Sequence, residues 1–383
     1  MPLNFWRVSP PKQVDKPTGW EFIGPAERFD QRDHANSRLA LRIGTPEYED
    51  YYKRHPELKE KDDAERELFK RSDERLRLGE PINYQLSIMG TLGYGRRILA
   101  QNEFCTGEPS PNKVEIDPKV ITEKIKALAL AMGTDKVGIT YLNENWIYTY
   151  RAHPYDPVPY GETVELPYKY IICMAFKLPL SCLRNAPDFG STSASYWTYS
   201  RASLPAVILA RIIRELGYEA RATPPGNTPF FVVPHFVMAG IGEYSRMGIC
   251  VTKEFGAAFK PSSVLTNMPL EVDKPVDFGL QRFCRKCKIC AKNCPSGAIS
   301  SGDWELVRGY RRWRIDGEKC RHFWDTIGRE CSICVVSCPW TRMSNINRNL
   351  AVHKVFQDIY ITLENRIYKR KIGPRPTWLK VKA

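Results

Sequence analysis

Residues 284–295 read Cys-Arg-Lys-Cys-Lys-Ile-Cys-Ala-Lys-Asn-Cys-Pro and place four cysteines at the spacing C-x2-C-x2-C-x3-C-P. This spacing is typical of bacterial proteins that hold two four-iron four-sulfur clusters. A second group, within residues 320–339, has the same ending, C-x2-C-x3-C-P, after a longer first gap. The repeated pattern predicts a ferredoxin-like unit that carries two 4Fe-4S clusters and delivers single electrons.

The spacing also predicts which cysteines share a cluster, because the fourth cysteine of such a group ligates the other cluster. This exchange predicts a first set and a second set of four ligands. The first set is Cys284, Cys287, Cys290 and Cys338, and the second set is Cys294, Cys320, Cys331 and Cys334. Zinc is the alternative metal, but it has no use for the Cys-x3-Cys-Pro endings or for crossed ligation.

Composition limits the classes of protein to consider. The chain has 383 residues, 12 cysteines and a net charge of +14. Eight cysteines at metal-ligand spacing indicate a reducing compartment rather than disulfides. The charge favours nucleic acid, acidic lipid or an acidic electron-transfer partner without choosing among them. We expect the four remaining cysteines to be buried as small hydrophobic residues, namely Cys105, Cys173, Cys182 and Cys250.

The sequence contains no segment that resembles a membrane span or an export signal. No stretch approaches the roughly 20 apolar residues that cross a bilayer. The first residues lack the charged, apolar and small-residue succession of a secretory signal, and no twin arginine precedes an apolar segment. We therefore expect a cytoplasmic protein with no integral membrane segment.

Periodicity indicates helices that alternate with strands. Asp117-Pro118 supplies a cap and a first-turn proline, and Gly133 ends this helix. Residues 137–141 and 170–176 are predicted strands. The apolar stripe of the first helix is Val120, Ile121, Ile125, Leu128 and Met132.

A second helix ends at Leu216-Gly217-Tyr218, and its start is left open, because Pro205 suits a first turn but would kink a helix running from Tyr196. Residues 57–77 are predicted as a solvated helix, and residues 79–112 as an extended segment. The predicted apolar face of the second helix is Leu204, Ile208, Ile212 and Leu216.

These elements predict an α+β or α/β fold in four parts. Residues 1–115 form an N-terminal wrapping region, and residues 116–274 form the core, for which the resemblance described below implies corrinoid and substrate binding. Residues 275–345 form the two-cluster domain, and residues 346–383 a C-terminal extension with a basic end. Neither a Gly-x-Gly-x-x-Gly loop nor a Walker loop is present, and an Asp-x-His-x-x-Gly motif is absent. Any cobalamin would therefore bind without histidine on cobalt.

Segments upstream of the cysteines resemble the corrinoid-dependent reductive dehalogenases. The similar segments are residues 142–148, 199–201, 216–218, 245–256 and 266–279. With the cysteine groups, the resemblance extends over about residues 116 to 345. It implies a base-off cobalamin in a nitroreductase-like core beside a ferredoxin-like domain. The implied activity removes halide from an organohalide with cob(I)alamin that the two clusters reduce.

The resemblance also implies site residues. Tyr199 would be the proton donor, Lys260 its basic partner and Asn227 the residue that orients the phenol or the substrate. A phenol holds its proton near neutral pH, and a nearby ammonium stabilises the phenolate left behind. Lysine replaces the arginine of the tetrachloroethene enzymes, and its point charge differs from a planar guanidinium.

Three further residues are expected at the site. Trp324 resembles a wall of the substrate pocket, although it would equally shield a cluster. Tyr196 is the fallback proton donor, because it lies nearly one helical turn before Tyr199. Arg246, within the Ser-Arg-Met-Gly segment, is a candidate contact to the corrinoid.

Two other functions remain open at this point. Epoxyqueuosine reductase has similar cofactors and acts on transfer RNA, and the basic charge favours it. That family uses an acidic donor, whereas the matched residue here is Tyr199. A corrinoid-free electron-transfer protein is the other alternative. We expect a small halogenated substrate, a ferredoxin- or flavodoxin-type electron donor, no nucleic acid and a possible homodimer. A catabolic or uncharacterised role is expected rather than a respiratory one.

Overall fold

The computed structural model describes residues 7–77, 87–152 and 160–368. Its centre is a four-stranded sheet in which every pairing is antiparallel, as in α+β proteins. The second strand is buried at seven of its eight positions, because structure covers both faces of the sheet. The strands, in spatial order, are Lys136–Tyr141, Tyr170–Lys177, Phe259–Thr266 and Ala220–Thr223.

Helices Pro118–Ala131 and Phe189–Glu215 pack on one face of the sheet, and Val232–Met238 packs on the other. The side chain of Asp117 accepts a hydrogen bond from the Val120 backbone, so the predicted cap is confirmed. Val120 itself is 49% exposed and does not belong to the buried stripe.

The long helix Phe189–Glu215 runs unbroken through Pro205 for 27 residues. The predicted apolar face of this helix is wrong, since Leu204 and Ile208 are 49% and 39% exposed. Small residues let the helix approach the sheet closely, whereas leucine and isoleucine at those positions point outward. The buried face is Ala202, Ala206, Leu209, Ala210 and Ile213.

The N-terminal region differs from the prediction. Residues 87–92, Tyr94–Leu99 and Asn102–Cys105 are helical rather than extended, and residues 78–86 lie outside the described part. Helix Tyr94–Leu99 lies against the long helix, where a Cβ at Gly95 would lie 3.1 Å from the Cβ of Ser200. The predicted helix at residues 57–77 is confirmed as Pro56–Arg77.

The cysteine groups lie in a lobe of short helices, and two short N-terminal strands pair with strands near these helices. Its helices are Leu280–Cys287, Ile289–Lys292, Gly317–Ile327, Ile333–Ser337, Pro339–Arg342, Asn345–Leu350 and Lys354–Ile367. Hairpin Glu305–Val307/Tyr310–Arg312 gains Trp20–Phe22 as a third strand, and Lys12–Gln13 pairs with Val276–Asp277. The basic C-terminal run lies outside the described residues, apart from Tyr368.

The remaining elements are short connections between these layers. They are Gln31–Asp33, Ala35–Arg38, Pro46–Arg54, Glu144–Trp146, Leu180–Leu183, Glu243–Tyr244 and Cys250–Val251. Among the described residues, no helix combines the length and the apolar character needed to cross a membrane. Cys105, Cys173 and Cys250 are buried as predicted, whereas Cys182 is partly exposed.

Candidate active site and cluster sites

The folded chain brings together the four thiols of each predicted set. The first set lines one narrow cavity of about 20 Å³. The second set lines a separate cavity of about 320 Å³. No three histidine, cysteine or carboxylate side chains of the described ranges are grouped closely enough for one shared ion. A four-iron cluster is held by one thiolate at each iron, so surrounding thiols suit it.

The thiols of each set also lie close enough to raise one another's pKa. Burial raises the pKa of Cys290, the three other thiols of its own set raise it further, and Cys334 of the second set adds the smallest effect. Burial also raises the pKa of Cys334, followed by the effects of Cys331, Cys320 and Cys294. Thiols that repel one another's ionised forms are sites that cationic iron would stabilise as thiolates.

Arg246 supports the first set and does not reach the larger cavities. Its Nε donates to the Cys284 carbonyl at 3.0 Å, and its Nη1 donates to the carbonyls of Ser300 and Gly302 at 2.8 and 2.7 Å. The guanidinium lies 4.1 Å from the ring centroid of Trp313. These partners hold the side chain at the cysteine loop, and the expected corrinoid contact stays a prediction.

Tyr199 and Lys260 meet although the long helix and the sheet carry them separately. Tyr199 lies on the helix, and Lys260 lies near the start of strand Phe259–Thr266. Lys260 Nζ donates to Tyr199 Oη at 2.9 Å and lies 4.1 Å from the centroid of the phenol ring. The ammonium is therefore placed to stabilise negative charge on the phenol oxygen.

Glu330 is a third member of this group, and the sequence analysis missed it. Its Oε2 lies 3.5 Å from Lys260 Nζ and accepts from Ser195 Oγ at 2.5 Å. The side chains of Lys260 and Glu330 are only 15% and 14% exposed. The one available signal was an acidic residue directly before the cluster ligand Cys331.

The environment keeps Lys260 charged. Burial alone lowers the pKa of this amine, but Glu330 and the Tyr199 oxygen outweigh burial and leave the pKa above its usual value. A lysine in this state is a hydrogen-bond donor and not a base. In the group formed by Tyr199, Lys260 and Glu330, Lys260 thus donates to the phenol oxygen and leaves the phenol O–H free to donate elsewhere.

This group opens onto the cavity of the second set, which adjoins a larger cavity of about 650 Å³. Both cavities touch Val233, Ile315, Cys320 and Trp324. Trp324 therefore forms a shared wall, and its buried Nε1 has no hydrogen-bond partner among the residues that the structure describes. An unpaired buried donor at this wall is suited to a ligand that accepts a hydrogen bond.

Two predicted site residues lie apart from this group. Asn227 is fully buried and lines neither cavity. Its Oδ1 accepts from Arg151 and Arg221 at 2.9 Å each, and its Nδ2 donates to Ala100 and Asn102. These bonds use both ends of the amide, and the orienting role that the resemblance implies stays a prediction. Tyr196 also lines neither cavity, and its ring centroid lies 5.6 Å from the Arg96 guanidinium.

The larger cavity is lined by both aromatic and polar side chains. Its walls combine rings such as Trp20, Phe29 and Trp146 with polar side chains that include Asn145 and Arg312. Broad apolar surfaces with a few placed polar groups are typical of cofactor sites. The side chains present are therefore compatible with a corrinoid, and Cys320 of the second set lies at the boundary.

Comparison with known proteins finds similarity to iron–sulfur proteins and to reductive dehalogenases. Residues 283–342 match a 4Fe-4S dicluster domain. Tetrachloroethene reductive dehalogenase from Sulfurospirillum multivorans is 33% identical over 258 residues, which are 59% of this chain and 51% of that protein. Trichloroethene reductive dehalogenase from Dehalococcoides mccartyi is 36% identical over 153 residues, covering 36% of this chain and 26% of the relative.

A solved structure extends the similarity to most of the fold. The catabolic reductive dehalogenase NpRdhA, in complex with 3-bromo-4-hydroxybenzoic acid, superposes with a TM-score of 0.74 at 28% identity. The match covers 93% of this chain and 48% of that chain. The present chain thus spans about half the length of the relatives it matches. Over the part that it shares with them, the chain is similar to the reductive dehalogenases, and its residues 283–342 match a 4Fe-4S dicluster domain.

Proposed function

We propose that this chain is a reductive dehalogenase that removes halide from an organohalide, with a base-off cobalamin and two 4Fe-4S clusters. The observation that carries the proposal is the contact of Lys260 with Tyr199 at 2.9 Å, in a cavity that the second cysteine set also lines. A proton donor and an electron-delivery site thus face the same space. A carbon–halogen reduction requires both.

The bound corrinoid and clusters would supply the low-potential electrons that break the carbon–halogen bond. The larger cavity would hold the corrinoid, and the two cysteine sets would hold the clusters. Tyr199 keeps a proton at Oη until negative charge develops on the carbon that loses the halogen. Lys260 then stabilises the phenolate through its N–H donor, and Glu330 fixes the position of the ammonium.

The two sets would have different positions in the electron path. Cys320 of the second set contacts both cavities, whereas the first set lines only its own narrow cavity. We assign the second set to the inner cluster, next to the corrinoid, and the first set to the outer cluster. The corrinoid site would use the nitroreductase-like core of residues 116–274, and the clusters the ferredoxin-like residues 275–345.

The proposed substrate is a small halogenated organic molecule. The cavity walls near Tyr199 are mostly apolar and include Leu183, Phe236 and Phe259. Such walls favour an aromatic ring or a chloroalkene, and the Trp324 indole N–H would contact an electronegative substituent. A ferredoxin- or flavodoxin-type donor, a cytoplasmic location and a possible homodimer complete the proposal.

Anaerobic reconstitution tests the proposed function. The purified protein is loaded with iron, sulfide and cobalamin, and free cofactor is removed. Bromide, chloride and fluoride release is then measured from halophenols and chloroethenes with titanium(III) citrate as reductant. Retained cobalamin near one per chain with halide release above that of free cobalamin supports the proposal. Failure to retain cobalamin, with both clusters filled, rejects it.

A further inference from the structure

We propose that a small acidic one-electron carrier protein docks on the face formed by helix Lys354–Ile367 and the first cysteine segment, and that electrons enter there. The inference rests on the proposed function, because it assigns the surface that receives the electron donor of the same enzyme. The entry face consists of Arg282, Lys286, Lys292 and Arg366 together with the apolar residues Val355, Ile359, Leu363 and Ile367.

Asn365 connects this face to the first set. Its Nδ2 donates to the Cys287 carbonyl at 3.2 Å, and its Oδ1 accepts from Lys292 Nζ at 2.7 Å. A shallow surface cavity of about 420 Å³ includes Asn365, Lys286 and Arg366 among its lining residues. A carrier seated there would lie about two hydrogen bonds from a cluster ligand, whereas the second set faces the interior cavities.

The charge of the entry face selects an acidic partner. Residues 280–294 contain five lysines and arginines and no acidic residue. Asp358 offsets part of this charge by pairing with Arg282 at 2.5 Å and with Lys286 at 2.7 Å. The remaining positive potential would attract an acidic protein and accelerate its association.

The same helix presents an apolar stripe beside these cations. Val355, Ile359, Leu363 and Ile367 are spaced four residues apart and are 73%, 56%, 49% and 72% exposed. Weak redox complexes bury less than about 1,200 Å², with an apolar centre and a polar rim. An exposed stripe bordered by lysine and arginine has the composition of such a contact.

Charge disfavours two other occupants of this face, namely a second copy of the chain and the chain's own residues 369–383. A symmetric contact with a second copy of the chain would place these cations opposite one another. Residues 369–383, which follow the helix in sequence, contain six lysines and arginines and no acidic residue. An acidic carrier is the occupant whose charge complements the face. Each encounter oxidises the carrier by one electron and reduces the outer cluster by one, and no bond forms or breaks.

The test uses the full chain with both clusters filled and a reduced plant-type [2Fe-2S] ferredoxin of acidic charge as the probe. The test variant is Lys286→Gln/Lys292→Gln/Arg366→Gln. Stopped-flow absorbance measures cluster reduction, and a binding titration measures the complex. At 50 mM salt we expect the rate constant to fall at least about tenfold, and the difference to disappear near 0.5 M salt because ions screen the attraction.

The matched control carries three charge removals elsewhere, Lys119→Gln/Lys124→Gln/Lys177→Gln, at exposed positions. We expect its rate constant to stay within about twofold of the original protein. Equal effects of the two triple variants would overturn the proposal. So would a dimer that only the test variant dissociates, or faster reduction after removal of residues 369–383. Halide release with titanium(III) citrate should be equal in all three proteins, and its absence in all three would reject the enzyme activity while leaving the docking result readable.

Discussion

The two cysteine segments have similar motifs but different surroundings. Residues 280–294 carry five cations and no acid, and they border the outer surface beside helix Lys354–Ile367. Residues 317–338 contain three lysines and arginines and three acidic residues, and three of their four cysteines line the cavity that Tyr199 and Lys260 also line. The comparison teaches that ligand spacing specifies a cluster, while the neighbouring side chains specify what that cluster serves.

Removing one cysteine ligand from each segment tests whether the two segments have different roles in the electron path. We expect Cys334→Ser to abolish halide release with every reductant, because it empties the site beside the reaction cavity. Cys287→Ser should retain halide release with titanium(III) citrate and lose it with a protein donor. Iron analysis should show that each variant keeps about half of the original iron, as expected for loss of one of two clusters. Identical activity losses would contradict the assignment of inner and outer clusters.

Tyr199→Phe tests the chemistry at the inner segment. The variant removes the phenolic proton while keeping the ring, so we expect kcat to fall by about 10² to 10⁴. Iron and cobalamin contents should be unchanged. Tyr196→Phe is the matched control one helical turn away, and it should retain activity because Tyr196 lines neither cavity. Comparable losses in both variants would remove Tyr199 as the specific donor.

Lys260 variants separate charge from shape. Lys260→Gln leaves the phenolate without a cation, and we expect kcat to fall by about 100-fold. Lys260→Arg keeps the charge and should lose about tenfold, since a planar fork replaces a compact ammonium. Steady-state kinetics with a chemical reductant provides the measurement. An arginine variant as inactive as the glutamine variant would show that charge alone is insufficient.

Glu330→Gln should produce a smaller effect than Lys260→Gln. The substitution keeps the shape and the hydrogen bond from Ser195, but it removes the charge that faces Lys260. We expect a loss of about tenfold in kcat with little change in KM, because Glu330 acts through Lys260. Ser195→Ala is the companion variant, and it should lose less. A large rise in KM alone would indicate substrate contact instead.

Some residues of the candidate site could be predicted from the sequence, and others could not. The cysteine sets followed from spacing alone, and the Tyr199–Lys260 pair followed from the resemblance. Glu330 could not be predicted as a member of this group, because it lies 70 residues from Lys260 in sequence and on another lobe. Only the docking of the cysteine lobe against the long helix brings the two together.

The surroundings of Asn227 and the buried face of the long helix escaped sequence-based prediction for the same physical reason. Asn227 matched a position in the resemblance, and its amide oxygen accepts hydrogen bonds from Arg151 and Arg221. The long helix was assigned the face of its larger apolar residues, whereas the alanine face packs on the sheet. In both cases the partner across the interface decides the outcome, and that partner is distant in sequence.

The most direct measurement of the central claim is a turnover in D2O by protein that contains both clusters and cobalamin. A halophenol is supplied with reductant, and free halide and product deuterium are quantified together. Proton donation at the site predicts one halide per product and one deuterium at the carbon that carried the halogen. Recovery of unchanged halophenol from fully loaded, fully reduced protein would contradict the proposed dehalogenase activity.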